Sequence, residues 1–136
     1  MNAATGGGHA PPPARALRTA RNTVAALVAL LCAEFVLWHV LRFGPSTAAL
    51  IAALGVAPWL VLAPGLWRGV QRHHDAAALL TAPYLGYGLM EVLANPGARP
   101  LAGALVLIAF ALYVALAAFL RLSRPRAAAP TGQTAP

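Results

Sequence analysis

The chain has 136 residues, of which 60% are apolar and only 10% charged, against about a quarter charged in ordinary soluble domains. Its ten basic residues, every one an arginine, outnumber the three acidic ones, Glu34, Asp75 and Glu91. So short and apolar a chain cannot cover a folded surface with polar groups, which excludes a water-soluble globular domain; and because the arginines stand between apolar runs rather than along one face, nucleic acid is excluded as a partner.

The first segment, residues 1–21, holds Gly6-Gly7-Gly8 and Pro11-Pro12-Pro13 before Arg15, Arg18 and Arg21. Such composition cannot bury apolar surface and predicts a disordered basic tail. Residues 22–121 form one transmembrane domain with four apolar runs, at about 23–41, 48–67, 76–94 and 101–120. Each is close to the roughly 20 residues that span a hydrocarbon core. The first run ends on Trp38-His39-Val40-Leu41-Arg42, too bulky for a signal-peptidase site, so it is read as a retained helix. Cys32, the sole cysteine, lies inside it and reads as a packing residue. The second run contains Pro58 and Pro64, which membranes tolerate when neighbours re-satisfy the freed carbonyls. Alanines recur at every fourth position, 25, 29 and 33 in the first run and 49, 53 and 57 in the second, the small-residue spacing of close helix packing.

The connections are short. Gly44-Pro45 and Asn95-Pro96-Gly97 supply turn chemistry, and neighbouring helices must therefore run antiparallel. His73-His74-Asp75 falls in the second connection and reads as a solvated loop, since adjacent histidines cannot share a helix face and no further ligand follows; no metal or cofactor is expected. The last segment, residues 122–136, is Ala, Pro and Thr rich and predicted disordered. Arg15, Arg18, Arg21, Arg68, Arg72, Arg121, Arg124 and Arg126 fall on one side of the membrane, and only Arg42 and Arg99 on the other. The positive-inside bias then places both termini in the cytoplasm. The prediction is an all-α, integral membrane four-helix bundle of up-down topology. Arginine without lysine, amid much Ala, Gly and Pro, points to a GC-rich bacterial genome.

The residues that membranes reject carry the functional signal. Glu34 lies about 18 Å along the first predicted helix and Glu91 about 22 Å along the third, at 1.5 Å per residue. Those helices run the same way, so both carboxyls reach similar depth in the outer half. Each is a functional-site candidate by default, because intramembrane carboxyls are costly and face the bundle interior. Tyr84, Tyr87, Gly88 and Asn95 share the face of Glu91, with Thr81 further down the same side and Tyr87 placed to donate its hydroxyl to the carboxyl. His39, Arg42 and Arg99 stand at the outer edge. The candidate cluster is thus Glu34, His39, Arg42, Tyr84, Tyr87, Gly88, Glu91, Asn95 and Arg99. A purely helix-joining role for the two carboxyls is the competing reading. Trp38 and Trp67 read as interfacial anchors.

Three stretches carry a family likeness: Pro64-Gly65-Leu66-Trp67-Arg68-Gly69, Tyr84-Leu85-Gly86-Tyr87-Gly88-Leu89-Met90-Glu91, and Ala94-Asn95-Pro96-Gly97-Ala98-Arg99-Pro100-Leu101. In them the chain resembles the DUF2069 family of small bacterial inner-membrane proteins. The resemblance implies that Tyr84, Gly88, Glu91 and Arg99 occupy that family's recurring Tyr, Gly, Glu and Arg places. It brings location and architecture but no activity. Two positions depart from it: Tyr87 stands where the family often has His, and Leu105 lies in a region that often carries another Glu.

No phosphate loop, nucleophile elbow or zinc-protease motif is present, so no enzyme is expected. The leading expectation is a non-enzymatic subunit or assembly partner of a larger membrane complex. Its partners would be the lipid bilayer and either further copies of itself or another membrane protein. An oligomeric transporter or channel that passes protons or a small solute by Glu91 is the alternative. A lipid-binding protein that uses its basic edge is the second.

Overall fold

The computed structural model describes residues 14–123, and all of its regular structure is helical. Helix α1 spans Ala14–Arg42, α2 Pro45–Trp67, α3 Gln71–Ala94 and α4 Arg99–Ser123, with a single 3₁₀ turn at Pro96–Ala98 before α4. All four are long and apolar enough to cross a membrane. The helices begin earlier than the apolar runs do, most of all α1, where residues 14–21 are helical and not part of a disordered tail. Hydropathy marks the stretch that needs lipid, whereas Ala, Leu and Arg continue the helix beyond it because their propensity is high. At 29 residues α1 is about 43 Å long, against a core of about 30 Å. Likewise α4 runs on through Ser123, so residues 122 and 123 are helical. The predicted tails at 1–13 and 124–136 lie outside the described residues.

Each turn follows from its sequence. Gly44 is extended and Pro45 sits in the first turn of α2, where its missing N–H is no loss. At the other end of α2, Val70 N–H donates to the Gly65 carbonyl at 2.9 Å and Gly69 N–H to that of Leu66 at 3.1 Å. Gly69 has φ +73°. This is a Schellman termination, which needs a left-handed residue after the helix. A Cβ there would have open space, its nearest neighbour being Phe119 at 4.0 Å. Gly69→Ala is therefore expected to cost about 1 kcal/mol through the backbone alone, and Gly69→Asn less; equal stabilities in denaturant titration would count against it. Pro96 holds Asn95 out of the helical region and ends α3.

The start of α1, the α2–α3 turn and the end of α4 meet at one end of the bundle. The end of α1 and the α3–α4 turn meet at the other. Helix α4 packs against α3 and α1, α1 also against α2, and α2 only thinly against α3, so α1 and α3 face each other across a diagonal. The α3–α4 seam is closest because both helices keep a strict three-then-four spacing of buried positions. They are His74, Ala77, Thr81, Tyr84, Gly88 and Glu91 on α3, and Ala102, Leu105, Ala109, Leu112, Leu116 and Phe119 on α4. Such heptads give left-handed, near-parallel packing. Helix α2 lacks that spacing, its buried residues being Ala48, Trp59, Gly65 and Leu66. The alanines at 29, 33, 49, 53 and 57 point outward, so close packing uses Gly55, Gly65 and Gly88 instead.

Two expectations are corrected here. His73-His74-Asp75 is not a solvated loop but the opening of α3: the His74 ring is fully buried, stacks on Phe119 at 3.9 Å, and its Nδ1 bonds the Val70 carbonyl at 3.0 Å. The His73 ring occupies the space that the missing side chain of Gly65 leaves. Trp38 is no interfacial anchor either, being 2% exposed, whereas Trp67 is 66% exposed.

Candidate functional site

Along one stretch of eight residues, α3 reaches each of its neighbours in turn. Tyr84 donates its hydroxyl to the carbonyl of Gly55 on α2. That carbonyl lies one residue beyond the Leu54 carbonyl whose helical donor Pro58 removes. Gly88 lies against α4, where a Cβ would come within 2.7 Å of Val106 Cγ2 and 3.4 Å of the Ala102 carbonyl oxygen. Tyr87 and Glu91 reach across the diagonal to α1.

Glu91 Oε2 accepts from Arg42 Nη1 at 2.7 Å and from Asn95 Nδ2 at 2.6 Å. Arg42 belongs to the last turn of α1 and Asn95 to the C-cap of α3, so the carboxylate closes one end of the bundle. The Glu91 side chain is 9% exposed and that of Arg42 34%. Arg42 also lies over the ring of Phe43, 5.6 Å from its centroid. His39 is 3% exposed. Its Nδ1 is 2.7 Å from the Phe35 carbonyl, and a carbonyl can only accept, so Nδ1 carries a proton. That leaves Nε2, 3.5 Å from the Tyr87 hydroxyl, as the acceptor of a long hydrogen bond when the ring is neutral. Tyr87 therefore addresses the imidazole rather than the Glu91 carboxyl. Its ring packs against Trp38 at 5.2 Å and His39 at 5.9 Å.

Two predicted members stand apart. Arg99 donates Nε to the Val92 carbonyl at 3.1 Å, capping the exposed end of α3 rather than pairing with Glu91. Glu34 makes no hydrogen bond to the cluster, and its Oε1 is buried without a partner among the described residues. Shared depth does not make shared contact, because Glu34 and Glu91 project from helices on opposite corners of the bundle. Sequence reasoning missed Phe35, Trp38 and Trp59 as the aromatic packing of the site: Phe35 stands 5.4 Å from Tyr84 and Trp59 5.8 Å from it. Extending the Tyr84, Gly88, Glu91 spacing backwards through Thr81 and Ala77 would have found buried His74 as well.

Beside this cluster, between α2 and α3, lies a cleft of about 530 Å³ lined by Phe35, Ile51, Leu54, Pro58, Leu80 and Pro83 together with His39, Tyr84 and Tyr87. Its walls are almost wholly apolar and it opens on the thin α2–α3 seam. Among the described residues no group of three or more His, Cys, Asp or Glu side chains could hold a metal ion.

A family model described as a predicted membrane protein, DUF2069, matches residues 19–124, all of the helical domain but the first turns of α1. The chain belongs to the DUF2069 family. No curated protein and no solved structure matches it. With four membrane-length helices, this DUF2069 protein is a multi-pass membrane protein. The four residues by which it resembles the family do four different things: Tyr84 ties α3 to α2, Gly88 admits α4, Glu91 binds α1 and Arg99 caps α3. Tyr87, which departs from the family pattern, stacks on an imidazole supplied by α1, so a histidine is present at this place after all. Leu105, the other departure, is fully buried in the bundle core, in keeping with an apolar α4.

Proposed function

We propose that this chain is a non-enzymatic subunit or assembly partner of a larger complex in the bacterial inner membrane, with both termini in the cytoplasm. The open α2–α3 seam carries this reading. Helix α2 is the least buried of the four, and the cleft beside it presents Leu54, Ile51 and Leu80 around the prolines Pro58 and Pro83. Lipid supplies no hydrophobic force between helices, so a bundle gains from a neighbour only through shape-matched packing and polar contacts. A concave apolar face above a polar aromatic floor offers both to the side chains of another transmembrane helix. Transport past Glu91 draws less support, because two donors, Arg42 and Asn95, converge on one oxygen of that carboxylate, an arrangement that favours a held charge.

A photo-cross-linking side chain placed at Leu54 or Leu80 in native membranes is expected to yield one discrete protein adduct, and the same group at Leu107, on the outer face of α4, none. Equal labelling at all three positions, or labelling of lipid alone, would sink the reading. Proton flux into proteoliposomes is expected to be the same for Glu91→Gln and the parent; flux abolished in the variant would favour transport.

A further inference from the structure

At the end of the bundle opposite Glu91 lies a second cleft, of about 540 Å³, walled by Leu17, Arg18 and Arg21 of α1, Gly69 of the α2–α3 turn, and Leu122 and Ser123 of α4. Its floor is the ring of Phe119, held in place by stacking on His74 at 3.9 Å. The volume lies in the range of small-molecule sites. The lining is divided: two guanidinium-bearing residues one helical turn apart on α1 stand against an apolar wall of Leu17, Phe119 and Leu122.

Among the described residues no acidic side chain forms an ion pair with the arginines of this cleft. All three acidic side chains of the chain, Glu34, Asp75 and Glu91, are among the described residues. The one ion pair found there, Arg42 with Glu91, is at the far end of the bundle. Ser123 directs its hydroxyl to the Leu120 carbonyl at 3.3 Å. Arg68 and Arg72 flank Gly69 in sequence and add to the positive field without lining the cleft. Arg21 precedes the apolar run of α1 by two residues, which puts the cleft at the level of lipid headgroups.

We infer that this cleft binds the phosphate of an anionic phospholipid, with Arg18 and Arg21 on the phosphate and the Leu17–Phe119–Leu122 wall against the glycerol and upper acyl carbons. Arginine suits the task because its planar fork matches phosphate oxygens in pairs. An amphiphile satisfies both halves of the lining at once, which a free anion does not. The site is independent of the α2–α3 seam and does not rest on the proposed complex.

Native mass spectrometry of the purified chain in neutral detergent, titrated with phosphatidylglycerol or with phosphatidylcholine, tests it. Phosphatidylglycerol is expected to bind preferentially. The double variant Arg18→Gln/Arg21→Gln is expected to weaken that binding roughly 10–30-fold, from what each arginine contributes near an anionic surface. Arg68→Gln/Arg72→Gln removes equal charge from the same end but outside the lining, where salt screens it from the bound phosphate, and at physiological salt should weaken it no more than about threefold. Ser123→Glu, which keeps both arginines but adds a negative charge, should also release the lipid. Equal losses in the two double variants would overturn the site in favour of a general basic edge, as would equal binding of the two lipids. Inorganic phosphate that displaces the lipid at matching concentration would overturn the lipid as its occupant. Unchanged helical circular dichroism in each variant separates lost binding from lost folding.

Discussion

In Arg42→Ala the thermal midpoint of the purified protein falls by about 5–10 °C, while Arg42→Met combined with Glu91→Leu recovers most of that loss. The reason lies in how Glu91 is held. Its Oε2 accepts from Arg42 at 2.7 Å and from Asn95 at 2.6 Å, in a setting where the residue is 7% exposed. Removing the guanidinium leaves a buried carboxylate with a single neutral donor. Replacing both charges with apolar side chains of similar length leaves no charge unpaired, only the half-buried Asn95 amide without its acceptor, and α1 keeps its aromatic contacts to α3 through Phe35, Trp38 and Tyr87. Glu91→Gln is expected to fall between the two, because the amide can still accept from Arg42 but no longer balances its charge. Scanning fluorimetry in one detergent at fixed protein concentration makes the comparison. A shift under about 2 °C in Arg42→Ala would mean that the pair is solvated, as surface pairs are, and that it does not lock the two helices.

Gly88→Leu is expected to destabilise the bundle by about 3 kcal/mol or more, and Gly88→Ala by about 1–2 kcal/mol, in line with the cost of overfilling a packed core. A Cβ at this position meets Val106 Cγ2 at 2.7 Å and the Ala102 carbonyl oxygen at 3.4 Å. The methyl can rotate away, whereas the carbonyl belongs to the α4 backbone and can move only with its helix. Val106→Ala should accordingly rescue most of the loss in Gly88→Ala and little of it in Gly88→Leu. That pattern is the non-additivity that touching residues show in double-mutant cycles. If Val106→Ala rescued neither, the α3–α4 approach at Gly88 would not be what limits the site. Unfolding of the reconstituted protein, monitored by circular dichroism, gives the energies.

The existence, number and order of the transmembrane helices were legible in the sequence, because the need for about 20 apolar residues per span is a property of the bilayer and not of the fold. Helix ends were less so. Apolar runs stop where water begins, but α1 continues back to Ala14 through Arg15, Arg18 and Arg21, residues that helices favour and hydropathy discounts. Much of the candidate cluster was also legible: Tyr84, Gly88, Glu91 and Asn95 share one face of α3 by helical period alone, and Arg42 proved to be within reach of Glu91. Period could not separate Arg99 from that group, since a residue beyond a turn points wherever the turn sends it, and the 3₁₀ turn at Pro96–Ala98 sends it to Val92. Nor could it separate Glu34 from Glu91. Depth along a helix is read from the chain, but rotation about the helix axis is set by which neighbours pack.

From the sequence by itself come four membrane-crossing helices, antiparallel through short links, and a face of α3 too polar for lipid. Only the tertiary structure decides where that face points. It places α1 diagonally across from α3, so that Arg42 and not Arg99 meets the carboxylate, and it turns His73 and His74 inward to Gly65 and Phe119. It also leaves α2 loosely seated, with an apolar cleft at its side and a basic one at the Arg18 end. The physical reason is the same throughout. Composition and period measure how each helix relates to its solvent, whereas clefts and pairings depend on the angles between helices, which arise from the fit of particular side chains such as Gly88 against Val106.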